Sequence, residues 1–317
     1  MIDIRHSRNT SNWSVNDIGN MAGKTVLITG GNSGIGFEAA KILAEKGADI
    51  TLACRNMQKT SDAIKLIQKD HPDAKLSSLT IDLSDQLSVK TAATEFKAAN
   101  KKLDLLINNA GVMWAPKGST TDGYEIHMGT NHLGHFTLTG LLLDLLTKTK
   151  NARVVTVSSV GHRMGKFDFS DLWLDQGYGR HQAYSNSKLA NLMFTYELDR
   201  RFKKAGLDTQ ALAAHPGASS TNLAAPGFEM GGAKRMAKVA KCLTPFVTQS
   251  AVSGSLPTVR AATDPGAKGG QYYGPSMLEW MGRPVECGST RYSKKTDVAE
   301  ELWEVSEKLT GTYFSFA

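Results

Sequence analysis

Residues 24–36, Lys24-Thr-Val-Leu-Ile-Thr-Gly-Gly-Asn-Ser-Gly-Ile-Gly36, decide the fold of this chain. Their first part, Lys24–Gly30, is a short apolar run bounded by glycine, which predicts a buried strand. The glycine-rich segment Thr29–Gly36 then leads into a helix that we predict over Ile35–Lys46, before Gly47. The spacing is G-x-x-x-G-x-G rather than the commoner G-x-G-x-x-G. Because it lies between a strand and a helix, it still favours a phosphate-binding turn.

Each glycine of this turn has its own steric task. Gly30 permits a tight turn, Gly34 lets the backbone approach a pyrophosphate, and Gly36 allows close packing of helix and strand. Free amides at the helix N-terminus would then face the phosphates of a dinucleotide. The cofactor-binding residues predicted from this turn are Gly30, Asn32, Ser33, Gly34, Ile35 and Gly36.

Short β-like runs alternate with helical patterns along the rest of the chain. We predict strands over 49–55, 75–82, 103–110, 152–158 and 209–215, a helix ending before Pro72, and another over 87–101. This alternation predicts an α/β fold in a single domain, with a Rossmann-like, doubly wound parallel sheet. Ligands of such sheets bind at the carboxyl ends of the strands, which is where every motif of this chain lies.

The composition indicates one domain with an extension at each end. We predict an N-terminal extension over 1–22, the main domain over 23–275, and a C-terminal extension over 276–317 that packs on it. After the sixth strand, residues 218–247 are rich in Gly, Ala and Met, and we interpret them as a lid. The C-terminal extension contains a short amphipathic helix with apolar residues at Val298, Leu302, Val305 and Leu309.

Composition also argues against several classes of protein. The chain has 317 residues, 41% of them hydrophobic, and no run of about 18 apolar residues that would predict a membrane span. Its N-terminus is polar and lacks the apolar stretch of a secretory signal, and its three cysteines are too far apart to indicate a zinc site or a disulfide framework. The net charge of +7 is scattered and comes without a nucleic-acid motif. We predict a cytoplasmic protein with no nucleic-acid partner and no stable membrane insertion.

Arg55 bears on the choice of cofactor. An NAD site needs an acidic residue about 20 residues beyond the glycines to hold the ribose 2′-hydroxyl. The second predicted strand instead ends in Cys54-Arg55-Asn56. A guanidinium there suits the 2′-phosphate of NADP through charge-assisted hydrogen bonds, although a surface arginine is the simpler alternative.

Tyr184-Ser-Asn-Ser-Lys188 carries the chemistry. On a helix the i, i+4 spacing places the phenol and the ammonium on one face. The ammonium is expected to lower the pKa of Tyr184 from its usual value of about 10. Such a tyrosine exchanges a proton with a substrate oxygen near neutral pH.

Further motifs follow in order: Asp82-Leu83, Asn108-Asn-Ala-Gly111, Asn131, Ser159 and His215-Pro-Gly217. With the glycine turn and the Tyr184/Lys188 pair, they resemble the short-chain dehydrogenase/reductase family over roughly residues 23–223. Three segments, CRN at 54–56, NHLGHF at 131–136 and HPGASSTNL at 215–223, are most similar to its retinol-dehydrogenase and protochlorophyllide-reductase branch.

This resemblance implies four catalytic residues. Tyr184 would be the general acid/base, and Lys188 would hold the nicotinamide ribose and lower the pKa of that tyrosine. Ser159 would hold the substrate oxygen, and Asn131 would hold a water in a proton relay. The other cofactor-binding residues implied are Asp82 and Leu83 at the adenine, Asn109, Ala110 and Gly111 after the fourth strand, and Pro216, Gly217 and Thr221 at the nicotinamide. The implied cofactor is NADP(H), and no metal is needed.

One local feature departs from the family pattern. The gap between Ser159 and Tyr184 is longer than in most of the family, and the apolar and aromatic residues of this insert, residues 162–180, include Met164, Phe167, Phe169, Trp173 and Tyr178. We predict that the insert covers the active site, and that the protein is a monomer or homodimer rather than the usual tetramer. Trp114 is interpreted either as a pocket wall or as a core aromatic. His132-x-x-His135 is interpreted as structural rather than as a metal pair.

The leading hypothesis is an NADP(H)-dependent oxidoreductase that interconverts a hydrophobic ketone or aldehyde and its alcohol. One alternative is a C=C double-bond reductase of the protochlorophyllide-reductase type, in which Tyr184 would protonate carbon. The other is a catalytically silent protein that senses nucleotides. The intact set of Ser159, Tyr184, Lys188 and Asn131 argues against the silent protein, because a sensor need not retain a proton relay.

Overall fold

The computed structural model describes residues 12–218 and 249–316. The predicted lid, apart from Ala218, lies outside the described residues, and so does Thr221. Among the described helices, none combines the length and the apolar character that crossing a membrane requires.

Strands and helices alternate along the chain, and the first six strands lie within the ranges predicted for them. The strands are β1 (Thr25–Thr29), β2 (Asp49–Cys54), β3 (Leu76–Thr80), β4 (Leu105–Asn108), β5 (Arg153–Val157), β6 (Gln210–Ala214), β7 (Tyr272–Met277) and β8 (Met281–Glu286). The helices are α1 (Gly34–Glu45), α2 (Met57–Asp70), α3 (Gln86–Ala99), α4 (Gly134–Leu141), α5 (Leu143–Lys148), α6 (Arg180–Lys204), α7 (Ala251–Thr263) and α8 (Thr296–Thr310). The prediction of an α/β fold is confirmed.

One eight-stranded sheet runs through the described residues in the order β3-β2-β1-β4-β5-β6-β7-β8. The first seven strands are parallel, with Val26 opposite Ile50 and Leu27 opposite Leu106 on the two sides of β1. The prediction of a parallel sheet is confirmed for the six predicted strands, and the sequence did not predict β8, which is antiparallel to β7 at the edge. The cause is the connection, since residues 278–280 are too few for a crossover and permit only a hairpin.

Alternate side chains of β1 face opposite layers of the protein. Val26 and Ile28 belong to the core on one face of the sheet, with Leu43 of α1 and Val259 of α7. Leu27 belongs to the core on the other face, which α3, α4 and α6 cover. Both faces are therefore buried, which explains why the strands are continuous apolar runs rather than alternating ones.

The C-terminal extension packs on the main domain, as predicted. Trp303 of α8 is 2% exposed and stacks on Phe194 of α6 with ring centroids 5.7 Å apart. The guanidinium of Arg201 lies 4.3 Å from the centre of the Trp303 ring. β7 (Tyr272–Met277) crosses the boundary predicted at residue 275, so the extension also completes the sheet.

The order of the strands in the sheet determines where the candidate site lies. β1 and β4 are neighbours, but the chain moves outward from them in opposite directions, to β2 on one side and β5 on the other. A crevice opens beyond the carboxyl ends of strands at such a reversal, and ligands of this fold bind there. The glycine turn after β1 and Asn109–Gly111 after β4 border this crevice.

Candidate active site

The glycine turn has the geometry of a phosphate cradle. Gly30 and Gly34 have φ of 67° and 57°, values that L-residues with side chains rarely adopt. A Cβ on Gly36 would lie 2.5 Å from the carbonyl oxygen of Gly30 and would collide with the Asn109 amide. Ser33 is the N-cap of α1, yet its side chain makes no capping hydrogen bond. The first-turn amides of α1, which have no intrahelical acceptor, therefore suit a diphosphate.

A hydrogen-bond network joins this turn to the loop after β4. Asn109 Nδ2 donates to the Thr29 carbonyl at 2.8 Å, and the backbone amides of Asn109 and Ala110 donate to Thr29 Oγ1. Thr29 Oγ1 in turn lies 2.8 Å from His135 Nε2. The Asn109 side chain thus braces the turn, while the residues that follow it border the crevice.

His135 and His132 make hydrogen bonds inside the fold. Burial lowers the pKa of His135 to about 4, so its ring is neutral. Its Nδ1 lies 2.9 Å from the Asn131 carbonyl, which only accepts, so Nδ1 carries the proton and Nε2 accepts from Thr29. His132 Nε2 lies 2.9 Å from Ser306 Oγ of α8. No cluster of three or more candidate metal ligands occurs within residues 12–218 and 249–316.

Arg55 lies at the crevice beside Asp82. Its side chain is 77% exposed, and Nη1 is 3.7 Å from Asp82 Oδ2. Asn56, the next residue, caps α2 through the Lys59 amide. Leu83 is buried, and its carbonyl oxygen packs closely against Gly134. A Cβ added to Gly134 would lie only 2.5 Å from that oxygen. Asp82 and Leu83 are therefore held at the carboxyl end of β3, beside Arg55.

Asn131 lies in a π-helical turn, Met128–Leu133, that precedes α4. Such turns are rare and frequently mark functional sites. Its Oδ1 accepts from the Val112 amide at 2.7 Å, and its Nδ2 donates to the Val112 carbonyl and to Ser187 Oγ. A Cβ on Gly111 would lie 2.9 Å from Asn131 Oδ1 and 3.5 Å from Lys188 Nζ. Gly111, Asn131 and Lys188 therefore lie close together.

Tyr184 and Lys188 lie on the buried face of α6. They are 8% and 3% exposed, and Lys188 Nζ is 5.9 Å from the centre of the Tyr184 ring. Nζ donates to the Val157 carbonyl at the end of β5, at 3.1 Å. Ser159 follows β5, and its hydroxyl acts on Tyr184 to lower the pKa of the phenol. Residues from four separate motifs thus meet at the ends of β4 and β5.

Gly161 is a site residue that our sequence reasoning missed. Its amide donates to Ser159 Oγ at 3.1 Å, and a Cβ there would lie 3.3 Å from the Tyr184 ring. Glycine at this position lets the ring of Tyr184 approach the backbone. The only signal in the sequence is a glycine two residues after Ser159, which is too common a pattern to single out.

The expected lowering of the Tyr184 pKa is wrong for this structure. Burial raises the pKa of Tyr184 above its usual value, and the hydrogen bond from Ser159 offsets only part of that rise. Burial also lowers the pKa of Lys188, to about 8. The i, i+4 spacing in the sequence could not reveal how deeply both groups are buried, and burial is the larger effect.

His215 and Gly217 form a fixed turn after β6. Burial lowers the pKa of His215 to about 3, and its Nδ1 accepts from the Gly217 amide at 3.2 Å. Gly217 has φ of 61°, and a Cβ there would collide with the Trp280 carbonyl. Gln249 Nε2 donates to the Pro216 carbonyl at 2.6 Å. The β7–β8 hairpin and Gln249 together hold this turn at the site.

The prediction that the insert aromatics cover the active site is wrong for three of them. Phe167, Phe169 and Trp173 pack with Met193 of α6 and Leu302 of α8. Docking of α8 creates this apolar cluster, which local sequence does not reveal. Met164 is 64% exposed. Among these insert residues, Tyr178 is the one whose side chain reaches the loop that follows Gly111.

The chain is similar to known dehydrogenases over most of its length. The family model described as short chain dehydrogenase matches residues 24–230. Human retinol dehydrogenase 12 is 39% identical over 293 residues, which cover 92% of this chain and 87% of that protein. The chloroplastic short-chain dehydrogenase TIC 32 B of Brassica napus is 35% identical, with 90% and 88% covered.

The solved structures include a protein that is similar over the whole chain. An uncharacterised protein from Mycobacterium paratuberculosis is 38% identical, with a TM-score of 0.79 and coverage of 96% of this chain and 100% of that one. With the profile match and the relatives above, this agreement shows that the chain belongs to the short-chain dehydrogenase family of oxidoreductases, in its retinol dehydrogenase-like branch.

Proposed function

We propose that this protein is an NADP(H)-dependent oxidoreductase that interconverts a hydrophobic ketone or aldehyde and its alcohol. The observation that carries the proposal is the convergence of Ser159, Tyr184 and Lys188 beside Gly111 and Asn131. A carbonyl oxygen placed between the Ser159 and Tyr184 hydroxyls has two donors, as reduction of that carbonyl requires.

The residues of the crevice fit a dinucleotide. The positive φ angles of Gly30 and Gly34 and the uncapped amides of α1 suit the diphosphate. Arg55 and Asp82 lie where the adenosine end of a dinucleotide would extend, and Pro216 and Gly217 lie at the opposite end. When bound, the nicotinamide supplies or accepts the hydride.

The chain's own residues handle the proton and the charge. In reduction, Tyr184 gives its phenolic proton to the oxygen that gains negative charge, while Ser159 holds that oxygen by a hydrogen bond. Lys188 Nζ lies 5.9 Å from the centre of the phenol ring, and its positive charge would also hold the ribose of the nicotinamide half of the cofactor. Asn131, next to Lys188, belongs to the path that returns a proton to the site. In alcohol oxidation the same proton transfer runs backwards.

A turnover screen tests this function. Aldehydes, ketones and secondary alcohols are offered with NADPH or NADP⁺, and the products are identified by mass spectrometry. Formation of an alcohol from a carbonyl supports the proposal, whereas reduction of a C=C bond in an enone would replace it. Absence of turnover with every compound would favour the silent nucleotide sensor.

The Arg55→Ala variant tests the choice of cofactor. We expect wild-type protein to bind NADPH more tightly than NADH, because the guanidinium can pair with the 2′-phosphate. Removal of this charged hydrogen-bond pattern costs about 1.5–3 kcal/mol, roughly one to two decades in Kd for NADPH. Titration of both dinucleotides by fluorescence measures the effect, and Kd for NADH should change little.

Lys75→Ala is the matched control for Arg55→Ala. Lys75 is also exposed and paired with an aspartate, but it precedes β3 and so lies at the amino ends of the strands, away from the crevice at their carboxyl ends. Its loss removes the same charge without removing a contact to the cofactor. Equal binding of NADH and NADPH by the wild type would refute the assignment of Arg55.

The pH dependence of the two directions tests the raised pKa of Tyr184. Oxidation of an alcohol releases a proton, so the ratio of the two kcat/KM values changes about tenfold per pH unit whatever the mechanism. Because burial keeps the phenol protonated, reduction should stay flat from about pH 6 to about pH 7, below the pKa of about 8 that burial gives Lys188, while oxidation rises about tenfold per unit. A phenol with a lowered pKa would give the reverse, with oxidation flat and reduction falling.

A further inference from the structure

Three polar side chains form a buried cluster beside Tyr184 that the proposed mechanism does not use. Glu125 and His127 are 5% and 0% exposed, and Tyr178 reaches them from the insert. His127 Nδ1 lies 2.7 Å from Glu125 Oε1, and the Tyr178 hydroxyl lies 3.1 Å from the same oxygen. The His127 and Tyr184 rings meet edge to face, with centroids 6.2 Å apart.

Hydrogen-bond partners fix the protons of this cluster. The Ala115 amide donates to His127 Nε2 at 3.1 Å, so the ring proton lies on Nδ1 and is donated to Glu125. Burial raises the pKa of Glu125, but hydrogen bonds from the His127 ring and from the His127 and Met128 amides outweigh it and hold that pKa below its usual range. The carboxylate is therefore charged and accepts from every donor around it.

Ala115 is held mainly through its amide, which donates to His127 Nε2. The single proton of the Tyr178 hydroxyl is donated to the charged Glu125 carboxylate at 3.1 Å, with the Ala115 carbonyl oxygen 3.3 Å away as a second and weaker acceptor. The preceding residue, Trp114, has φ of 56°, a left-handed conformation that is strained for a residue with a Cβ. Hydrogen bonds to the next residue hold this strained backbone in place. The Trp114 ring lies 5.1 Å from that of His181, three residues before Tyr184.

We propose that Glu125, His127 and Tyr178 are positioning residues that hold Trp114 as a rigid wall of the substrate pocket, against the apolar part of a bulky carbonyl substrate. The proposal rests on the proposed function, and it assigns the selection of substrates by size to the Trp114 wall. Trp114 follows Gly111 by three residues, and Gly111 adjoins Lys188. The wall therefore stands beside the reacting groups, where a long substrate touches it and a short one does not.

Tyr178→Phe tests this role, because it keeps the ring and removes the hydroxyl that holds Glu125 and, through His127, the Ala115 amide. We expect KM for a long apolar aldehyde such as decanal to rise about tenfold with kcat nearly unchanged, since the binding that is lost is common to the ground state and the transition state. KM for propanal and Kd for NADPH should not change. Tyr124→Phe is the matched control, because its hydroxyl donates to the Leu309 carbonyl and does not touch this loop.

Two substitutions of His127 separate the hydrogen bond from simple filling of space. A glutamine oxygen reaches as far as Nε2 and can accept from the Ala115 amide, whereas an asparagine oxygen is too short. His127→Gln should therefore retain the wild-type KM for decanal, and His127→Asn should raise it as Tyr178→Phe does. Equal damage by both variants would overturn the proposal.

A double-mutant cycle tests whether the effect passes through Trp114. Trp114→Ala alone should raise KM for decanal, and Tyr178→Phe should add nothing, within about twofold, in that background. Additive effects would overturn the proposal, and so would an equal loss of kcat with propanal and decanal in Tyr178→Phe. The latter would place the cluster in control of Tyr184 rather than of the wall.

A measurement without turnover keeps this test independent of the proposed function. The emission of Trp114 is obtained as the difference between wild type and Trp114→Phe, and its quenching by acrylamide reports accessibility. Tyr178→Phe should make Trp114 about twofold easier to quench, because the loop is released. If wild-type protein turns over no carbonyl, the proposed function fails. Unchanged quenching would then overturn the positioning role as well, whereas increased quenching would uphold it.

Discussion

Tyr184→Phe should reduce turnover by about 10²–10⁴-fold while the protein still binds NADPH, since this is the usual contribution of a general acid. The substitution removes only the phenolic hydroxyl and leaves the buried ring in place. Steady-state kinetics on the best substrate of the screen measure the loss. NADPH titration and thermal unfolding verify that the site and the fold remain.

Tyr196→Phe is the matched control on the same helix. Its hydroxyl donates to Ser289 Oγ at 3.0 Å, on a part of α6 that does not border the catalytic residues. Loss of a tyrosine hydroxyl from α6 is then common to both variants, and only the position differs. Near-normal turnover in Tyr184→Phe, or an equal loss in Tyr196→Phe, would remove Tyr184 from the mechanism.

Lengthening an apolar substrate should raise kcat/KM by about fourfold for each methylene, from about 0.8 kcal/mol per buried CH₂, until the pocket is full. Five added methylenes then give about three decades, provided that all five are buried. The physical reason is that Ser159 and Tyr184 are the polar groups placed at the reacting carbon, so apolar burial supplies the remaining affinity. A homologous series of straight-chain aldehydes measures the slope.

Aldehydes of matched length that end in a carboxylate are the control for this series. Arg163 of the insert is not available to hold them, because it is paired with Glu279 through nitrogen–oxygen distances of 2.6 and 2.8 Å. The carboxylated compounds should therefore be poorer substrates than their neutral counterparts. A flat neutral series, or a clear preference for the charged compounds, would contradict a hydrophobic substrate.

The outline of the fold was predictable because its signals are local. The run before Gly30 is a strand in the structure, and helix α1 begins two residues after Asn32. Motifs that lie at strand ends in the sequence meet in space because parallel strands present their carboxyl ends at one edge. For that reason the convergence of Asn131, Ser159 and Lys188 followed from the order of the motifs.

Other features depend on contacts between distant parts of the chain. The antiparallel strand β8 depends on a hairpin whose residues carry no strong turn signal, since Leu278 and Glu279 adopt positive φ without being glycine. Phe167 and Trp173 join the cluster that α8 covers, about 130 residues further along the chain, instead of covering the site. Periodicity within one segment does not identify the partner of an apolar face.

By itself, the sequence predicted the order of the strands and helices, the glycine turn and the candidate reacting groups, because each depends on residues that are neighbours in the chain. The tertiary structure alone decided the protonation of those groups. Burial, which raises the pKa of Tyr184 and lowers that of Lys188 to about 8, comes from residues distant in sequence. The tertiary structure also brings Glu125, His127 and Tyr178 together around Ala115. The hydrogen bonds of this cluster form only when the insert folds back onto the loop after β4.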